Sequence, residues 1–481
     1  MKLTRKNFLL LTLSYFGLRI FSFVFPPDTP LHGASMINNL AAVLFLSITA
    51  YLLIKKNSYG WYLVIGEIIL GGAGNFFAFF GISLRTALLM LSLSIFFTQQ
   101  LCRFSLTDFK VFFSRNRWLL GTTVLLLAIA VTGATRGLLA GHTPGLVFAD
   151  TIPYFLLLYY FPLANLRQNE QQALPFSQFC VTALFAAVLG NCLFMLFTEA
   201  IFSAGIFKLQ NSYYHWFRDV ANGKITELPF HFYRVVLNEQ LLLAPLIVIA
   251  FYRFTLIRLK RFALTPEFIF LVALLAILAM NLTRVYMLAI AGAVCLLWRP
   301  GVWKRWLISG AIAVACFITI FSGLHFAASR GESLGAELFG LRLQSITQPK
   351  IEESSLSRLL LLPKIIEKIK LNPLLGSGLG DSVTVYSPVL KQTIITPHFD
   401  WGFLEILAEL GLLGSLSWLL FLLFLGINFA RKHFSPSWQA ASLVSLMIIT
   451  LTSPGLFHTL GILWLAFLLV ESQKEHKQIS V

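Results

Sequence analysis

Apolar windows long enough to cross a bilayer follow one another along almost the whole chain. A membrane-crossing helix takes about 20 mainly apolar residues. Here 57% of the 481 residues are hydrophobic and only 12% are charged, whereas a soluble chain of this length needs a more polar surface. The sequence therefore predicts an all-α polytopic integral membrane protein with about 12 to 14 transmembrane helices.

The first apolar window, FLLLTLSYFGLRIFSFVF, directly follows the basic start Met1-Lys-Leu-Thr-Arg-Lys. A short basic segment before an apolar one also fits a cleaved signal peptide. Because further apolar windows follow at once, we expect the first window to be an uncleaved span.

Lysine and arginine are concentrated in alternate loops between the windows. If the chain starts in the cytoplasm, the cytoplasmic loops contain Lys55-Lys56, 103–117, 253–261, 299–305, Arg431-Lys432 and Lys474 with Lys477. The short outer loops carry almost no lysine or arginine, which is the positive-inside pattern. We therefore expect both termini to be cytoplasmic. The net charge of +16 partly reflects this bias, so membrane lipids and no nucleic acid are the expected partners.

Two segments are longer than the other loops, and both fall on the outer side. They divide the chain into an N-terminal transmembrane bundle, a smaller outer loop, central transmembrane helices, a large outer loop and C-terminal transmembrane helices. The corresponding ranges are 1–206, 207–236, 237–326, 327–400 and 401–481. Five cysteines are scattered through apolar segments without a CxxC pair, which predicts neither a disulfide nor a metal site.

The large outer loop contains a helix signal in SSLSRLLLLPKIIEKIKLNP. The serines suit the start of a helix, and Asn372-Pro373 suits its end. We expect the helix to break at Pro363 and to resume with Ile365, Ile366 and Ile369 on one face. An amphipathic helix in this place is typical of a lid or an interfacial helix.

Three arginines lie on the outer side, near the expected ends of spans or on the lid helix. Arg234, Arg284 and Arg358 each carry a permanent charge that suits paired phosphate oxygens. Alternatively, Arg234 and Arg284 reach for lipid headgroups and Arg358 faces solvent. Arg136 and Arg85 also lie on the outer side.

The run LNPLLGSGLGDS and the following PHFDWGFLEILAEL carry the other candidate groups. Glycines 376, 378 and 380 either expose N–H groups to an anion or form a tight turn. His398 and Asp400 lie just before a span, and either suits a general base. Glu405 and Glu409 share one helical face, and acids also suit a helix start.

Taken together, LNPLLGSGLG and the downstream FLEILAELGLLG resemble the C-terminal signature of the O-antigen ligase and polymerase family. LTRVYMLAIAGAVCLL resembles the arginine-led span of that family, and SSLSR resembles the arginine that opens its large outer loop. YRVVLNEQLLLAPLIV is weakly similar to a third segment. The resemblance covers roughly residues 230–425.

This resemblance implies a metal-independent, inverting glycosyltransferase of the polytopic C type, without a cofactor, in the bacterial cytoplasmic (inner) membrane. Its donor is a glycan on a polyprenyl pyrophosphate, and its acceptor is a hydroxyl of a glycan or lipid. Arg284 and Arg358 match the pyrophosphate arginines, with Arg284 central to catalysis, and Arg234 matches less closely.

The sequence departs from the family pattern at the base. Family members commonly show His-Asn where this chain has Asp400-Trp401, with His398 two residues earlier. Either His398 or Asp400 is therefore the expected base, and Glu405 is an acceptor-side or structural residue. The Asp-Trp-Gly junction is closer to the polymerase-like branches than to the lipid A-core ligases.

A transporter or flippase of lipid-linked sugars is the alternative function. Transporters tend to show repeated halves and ionisable groups near the midplane. Here no repeat is visible, and Glu67 is the clearest acidic residue well inside a span. The motifs of the peptidoglycan polymerases of the shape, division and sporulation family are absent.

Overall fold

The computed structural model describes residues 5–27, 35–72, 74–101, 117–168, 175–257, 265–347, 353–387, 392–397, 399–432 and 437–472. Most of these residues are helical, and the strands among them form short antiparallel hairpins. The predicted all-α polytopic membrane architecture is therefore confirmed.

The described helices are numbered in chain order. The first nine are α1 (Arg5–Val24), α2 (Met36–Ile54), α3 (Tyr59–Leu70), α4 (Leu84–Leu101), α5 (Arg117–Leu139), α6 (Pro144–Phe155), α7 (Tyr160–Gln168), α8 (Phe176–Ser203) and α9 (Ser212–Asp219). The others are α10 (Leu243–Thr255), α11 (Pro266–Asn281), α12 (Arg284–Leu296), α13 (Trp303–Ala328), α14 (Ala336–Thr347), α15 (Glu353–Leu371), α16 (Gly402–Lys432), α17 (Trp438–Thr450) and α18 (Thr459–Ser472). The strands are β1 (Ala78–Phe79), β2 (Ile82–Ser83), β3 (Gly223–Leu228), β4 (Phe232–Leu237), β5 (Val383–Ser387) and β6 (Gln392–Thr396).

Seven segments of the described chain are helical, long and apolar enough to cross a membrane by length and composition. They are Arg5–Val24, Met36–Ile54, Trp118–Leu139, Pro144–Leu166, Phe176–Ser203, Pro300–Ala328 and Gly402–Ala430. Shorter apolar helices of 10–17 residues occupy other predicted windows: α3, α11, α12, α17 and α18. A helix of 13 residues is only about 20 Å long, less than a bilayer core of about 30 Å. A total of 12 to 14 crossings therefore stays a prediction.

By packing, the chain forms two compact units built from separate stretches. Unit 1 comprises Met1–Arg103, Ala164–Thr283 and Pro300–Leu338. Unit 2 comprises Phe104–Leu163, Arg284–Arg299 and Phe339–Val481. The five segments predicted from the sequence concern membrane topology, a separate property that stays a prediction.

Helix α8 is the centre of unit 1, where it packs against α1, α3 and α11. Gly190 of α8 lies so close to Tyr15 of α1 that an added Cβ would come within 2.5 Å of the tyrosine ring. Ala183 and Ala186 on the same helix are fully buried. Small residues allow membrane helices to approach closely, which explains this packing.

Two buried ion pairs surround the end of α3 in unit 1. Arg19 donates to both carboxylate oxygens of Glu239 at 2.7 and 2.8 Å and also to the carbonyl of the last residue of α3. Arg85 lies 3.3 Å from Glu67 and donates to the carbonyl of Gly72 at 2.8 Å. The last carbonyls of a helix lack partners within the helix, so these arginines satisfy the α3 terminus where water is scarce. Glu67 and Arg85 therefore stabilise the fold.

The smaller predicted outer loop has regular structure. Asn211 accepts a hydrogen bond from the backbone N–H of Tyr214 at 2.9 Å and so caps α9. Strands β3 and β4 pair in register from Gly223 opposite Leu237 to Leu228 opposite Phe232. This hairpin leads directly into the 3₁₀ turn Asn238–Leu242 and α10.

Unit 2 is organised around α16, which packs against α5, α15, α17 and α18. The large outer loop supplies α14, α15 and the β5–β6 hairpin. Leu361 and Ile365 of α15 are buried with Val383, Phe399 and Ala408. The predicted break at Pro363 is wrong, because α15 continues through the proline. Buried leucine and isoleucine on either side of Pro363 offset the backbone hydrogen bond that the proline forgoes.

Candidate active site

Arg358 and Asp400 lie together in unit 2 at the start of α16. Arg358 Nε is 4.0 Å from Asp400 Oδ2, and the two side chains are 30% and 43% exposed. Arg358 Nε has no hydrogen-bond partner among the described residues. The indole N–H of Trp401 donates to the Arg358 carbonyl at 3.1 Å, which ties the junction before α16 to α15. A guanidinium N–H in this setting needs an acceptor, and a ligand oxygen can supply one.

Asp400 has a left-handed backbone conformation, with φ of +57°. Aspartate is among the few residues other than glycine that adopt this conformation at modest cost. The predicted base His398 lies outside the described residues.

Glu405 lies one turn into α16 and is 7% exposed. Its Oε2 has no hydrogen-bond partner within the described part of the chain. Asp150 of α6 and Asp400 are close enough to Glu405 to interact with it electrostatically. Next to Asp400 the site therefore holds an N–H donor on Arg358 and a carboxyl oxygen on Glu405 that can accept a hydrogen bond.

The glycine-rich run is a tight turn that packs against α5 and α16. Every backbone N–H from Gly376 to Asp381 donates to a protein acceptor; these acceptors lie on Asn372, Ala408, Glu409, Gly133 and Asp150. An added Cβ at Gly376 would come within 2.2 Å of the Glu409 backbone, and one at Gly378 within 2.3 Å of the Gly137 nitrogen. The N–H groups of the predicted anion loop therefore bind acceptors within the protein, and the run is the tight turn.

The turn also explains a kink in α16. Gly411 has φ of +65° and ψ of −165°, which interrupts the helix. The N–H groups of Leu412 and Leu413, displaced from the helical pattern, donate to the carbonyls of Pro373 and Leu374 at 2.9 and 3.2 Å. The guanidinium of Arg136 donates to the Gly376 carbonyl at 2.6 Å. Arg136 therefore fixes the turn, a role that the sequence did not reveal.

Asp381 ends the turn in a cluster with Lys368 and His142. Lys368 Nζ donates to both Asp381 carboxylate oxygens at 2.7 and 2.8 Å. His142 lies with Nε2 3.8 Å from Asp381 and Nδ1 2.9 Å from the Leu379 carbonyl. Burial opposes ionisation of Asp381, but hydrogen bonds from Lys368 and Ser377 outweigh it and lower the pKa of Asp381.

Sequence reasoning did not identify His142 or Asp150. Both lie more than 200 positions before the glycine-rich run, and neither belongs to a motif that resembles a family. Their only sequence signal is that they fall near the same predicted outer side as that run.

The three predicted arginines occupy different places. Arg284 begins α12 in unit 2 and is partly exposed, and Arg358 faces Asp400 in the same unit. Arg234 belongs to β4 of unit 1, where its Nε donates to the carbonyl of Asn281 at 2.6 Å. Its Nη2 donates to Thr283 Oγ1 at 2.8 Å. Among the described residues, no three His, Cys, Asp or Glu side chains are arranged to hold a metal ion.

A family model matches the segment of the chain that contains much of this site. Residues 269–419 match the family model described as O-antigen ligase. The matched segment begins in α11, ends within α16 and excludes Arg234. A search of curated proteins finds no match to the chain. The family match confirms the resemblance predicted from the sequence, and the matched segment carries Arg284, Arg358 and Asp400.

Proposed function

We propose that the protein is a metal-independent, inverting glycosyltransferase of the bacterial cytoplasmic membrane, with both termini in the cytoplasm. It moves a glycan from a polyprenyl-pyrophosphate carrier to an acceptor hydroxyl at the outer face. The family match over residues 269–419 supports the reaction class. The observation that carries the proposal is the Arg358–Asp400 pair, which lies inside the matched segment and in which Arg358 Nε has no hydrogen-bond partner among the described residues.

The arginines hold the leaving group in this mechanism. Arg358 binds pyrophosphate oxygens, and Arg284 binds the same group from the start of α12. As the bond between the anomeric carbon and the pyrophosphate oxygen breaks, negative charge develops on the pyrophosphate. Fixed guanidinium groups at a poorly hydrated membrane surface stabilise that charge efficiently.

Asp400 takes the proton of the acceptor hydroxyl, unless His398 does so. The acceptor oxygen forms a bond to the anomeric carbon on the face opposite the pyrophosphate, so the configuration inverts. The hydroxyl proton passes to the base, and the electron pair of the broken bond leaves with the pyrophosphate. Glu405, buried beside Asp400 with Oε2 unpaired among the described residues, accepts a hydrogen bond from the acceptor sugar.

The separation of Arg358 and Asp400 fits both tasks. At 4.0 Å the pair is looser than a hydrogen-bonded ion pair. When Arg358 turns to a bound pyrophosphate, the carboxylate of Asp400 becomes available to the acceptor hydroxyl. Donor binding thus prepares the base for the acceptor.

A proteoliposome assay with purified protein and a polyprenyl-pyrophosphate oligosaccharide tests the proposal. Without another acceptor, lipid-linked product that grows by whole repeat units identifies a polymerase. If transfer occurs only with an added glycan or lipid acceptor, the protein is a ligase. Anomeric proton signals of donor and product report inversion or retention.

The alternative, a transporter or flippase of lipid-linked sugars, predicts a different result in the same vesicles. The donor would become accessible on the opposite leaflet without any new glycosidic bond. The Arg19–Glu239 and Arg85–Glu67 pairs are charge pairs with buried arginines, of the kind that transporters contain. Both pairs stabilise the α3 terminus, however, so we prefer the transferase.

A further inference from the structure

Arg234 donates two hydrogen bonds to a single turn of the chain. Its Nε binds the Asn281 carbonyl at 2.6 Å, and its Nη2 binds Thr283 Oγ1 at 2.8 Å. The planar guanidinium therefore bridges both ends of the segment Asn281–Thr283, which we call the Asn281 turn. A fork of donors in fixed geometry suits two such acceptors together.

The Asn281 turn is also fixed from inside unit 1. Asn281 is fully buried, and its side-chain amide donates to Gln240 Oε1. Gln240 Nε2 in turn donates to the sulfur of Met195 at 2.8 Å. The Asn281 side-chain oxygen accepts hydrogen bonds from the backbone N–H and the hydroxyl of Thr283. These contacts form one continuous polar network from α8 to the turn.

The backbone of the turn adopts a conformation that its sequence disfavours. Leu282 has φ of +47° and ψ of +31°, a left-handed conformation that a leucine rarely adopts. Leu282 is also buried, at 3% exposure. Surrounding contacts must maintain such a conformation, and the hydrogen bonds of Arg234 and Asn281 on either side of Leu282 do so.

The position of the turn bears directly on Arg284. Arg284 is the next residue after Thr283 and the first of α12. We infer that Arg234 is a positioning residue, whose guanidinium fixes the Asn281 turn, the segment that directly precedes Arg284 in the chain. This inference rests on the proposed function for its effect on transfer, but not for the hydrogen-bond geometry. The sequence-based expectation that Arg234 itself binds the donor is the competing interpretation.

Thr283 makes the inference testable, because it is uncharged and has no role as a phosphate ligand in the mechanism. We expect Thr283→Val and Arg234→Lys each to lower kcat about tenfold, the loss of one hydrogen bond to a charged group, with the donor KM nearly unchanged. The double variant should lose clearly less than a hundredfold, because the contact between Arg234 Nη2 and Thr283 Oγ1 is lost in both single variants. Thr283→Ser keeps the hydroxyl and is the matched control with near-normal kcat.

A ligand role for Arg234 gives the opposite pattern. Thr283→Val would then transfer normally, Arg234→Lys would raise the donor KM, and the positioning role would be overturned. Thermal unfolding in detergent accompanies each assay, and only variants that unfold near the wild-type temperature are compared.

Amide hydrogen exchange tests the same contacts without any activity. Peptides that cover residues 281–286 should exchange faster in Arg234→Lys and Thr283→Val than in the wild type and Thr283→Ser. If exchange there is unchanged in both variants, the positioning role is wrong even when transfer is observed. If the wild type transfers no glycan, the proposed function fails, and the exchange result still decides the role of Arg234.

Discussion

Glu409 Oε1 accepts the backbone N–H of Asp381 at 3.2 Å, and the Glu409 carbonyl accepts that of Gly378 at 2.9 Å. One residue of α16 thus binds the glycine-rich turn through both its side chain and its backbone. Glu405 lies one turn earlier on the same helix, beside Asp400. The glycine-rich turn therefore fixes the position and rotation of α16, the helix that carries the candidate acceptor-binding residue Glu405.

Replacing Arg284 should abolish transfer without affecting membrane insertion. In the proposed mechanism Arg284 stabilises charge on the leaving pyrophosphate, and removing one such donor typically costs about 10²–10³ in rate. We expect Arg284→Ala to lower kcat/KM in proteoliposomes by at least about 10²-fold. Arg299→Ala, just beyond the other end of the same helix, is the matched control and should transfer normally. Near-normal transfer by Arg284→Ala would remove the central cation from the mechanism.

The identity of the base can be decided by a pair of substitutions. A positioned general base typically contributes about 10²–10⁴-fold to the rate. We expect Asp400→Asn to lower kcat by that range with little change in the donor KM, measured by initial rates with saturating acceptor. If Asp400→Asn is nearly normal and His398→Gln shows the loss, the histidine is the base.

Close packing of the glycine-rich turn predicts a large effect of a single methyl group. At Gly376, φ is +70° and an added Cβ would lie 2.2 Å from the Glu409 backbone. The left-handed conformation alone costs alanine about 1–2 kcal/mol, and the backbone contact adds to this. We expect Gly376→Ala to lower the unfolding temperature clearly or to prevent folding. Gly426→Ala in the same helix, α16, where the added Cβ meets nothing within 4 Å, should unfold near the wild-type temperature.

The lowered pKa of Asp381 predicts a contribution to stability that depends on pH. Because the pKa is lower in the folded state, the ionised carboxylate stabilises the fold above the ordinary aspartate pKa of about 3.9. This stability is lost as the pH falls from there through the lowered folded-state pKa. The difference in unfolding temperature between the wild type and Asp381→Asn should therefore become smaller as the pH falls from 6 to 3. A constant difference over this range would contradict the role of the Lys368 ion pair.

Chelation provides a test of the catalytic chemistry. The proposed mechanism stabilises the pyrophosphate with guanidinium groups alone, so transfer should be unchanged after dialysis against EDTA. The assay compares initial rates in EDTA, in EDTA with added Mg²⁺, and in EDTA with added Mn²⁺. A rate that falls in EDTA and recovers with either cation would show that the arginines do not suffice.

The sequence predicted where helices end better than it predicted which contacts form at those ends. The Asn-Leu-Thr-Arg interruption between two apolar windows is indeed a boundary, because α11 ends at Asn281 and α12 starts at Arg284. Hydropathy shows such a boundary because polar residues interrupt an apolar run. It could not show that Arg234 binds the turn, since the partners lie 47 and 49 positions apart.

The glycine-rich run illustrates why the rest of the site was not predictable. Glycines at every second position fit both an anion-binding loop and a tight turn, because glycine adopts the backbone conformations of either. What decides between them is the set of acceptors on Gly133, Asp150 and Glu409, which other parts of the chain supply. Local helix rules likewise overestimated the tendency of Pro363 to break the helix. The burial of its neighbours, which offsets the lost hydrogen bond, is a tertiary property.

The contact between Arg136 and the Gly376 carbonyl also has a consequence for biosynthesis. The two residues are 240 positions apart, and translation proceeds at roughly 5–20 residues per second. The helix that carries Arg136 therefore waits roughly ten to fifty seconds after its own synthesis before its final partner leaves the ribosome. Packing of this helix against the glycine-rich turn is therefore a late event, because the chain must first be made as far as Gly376.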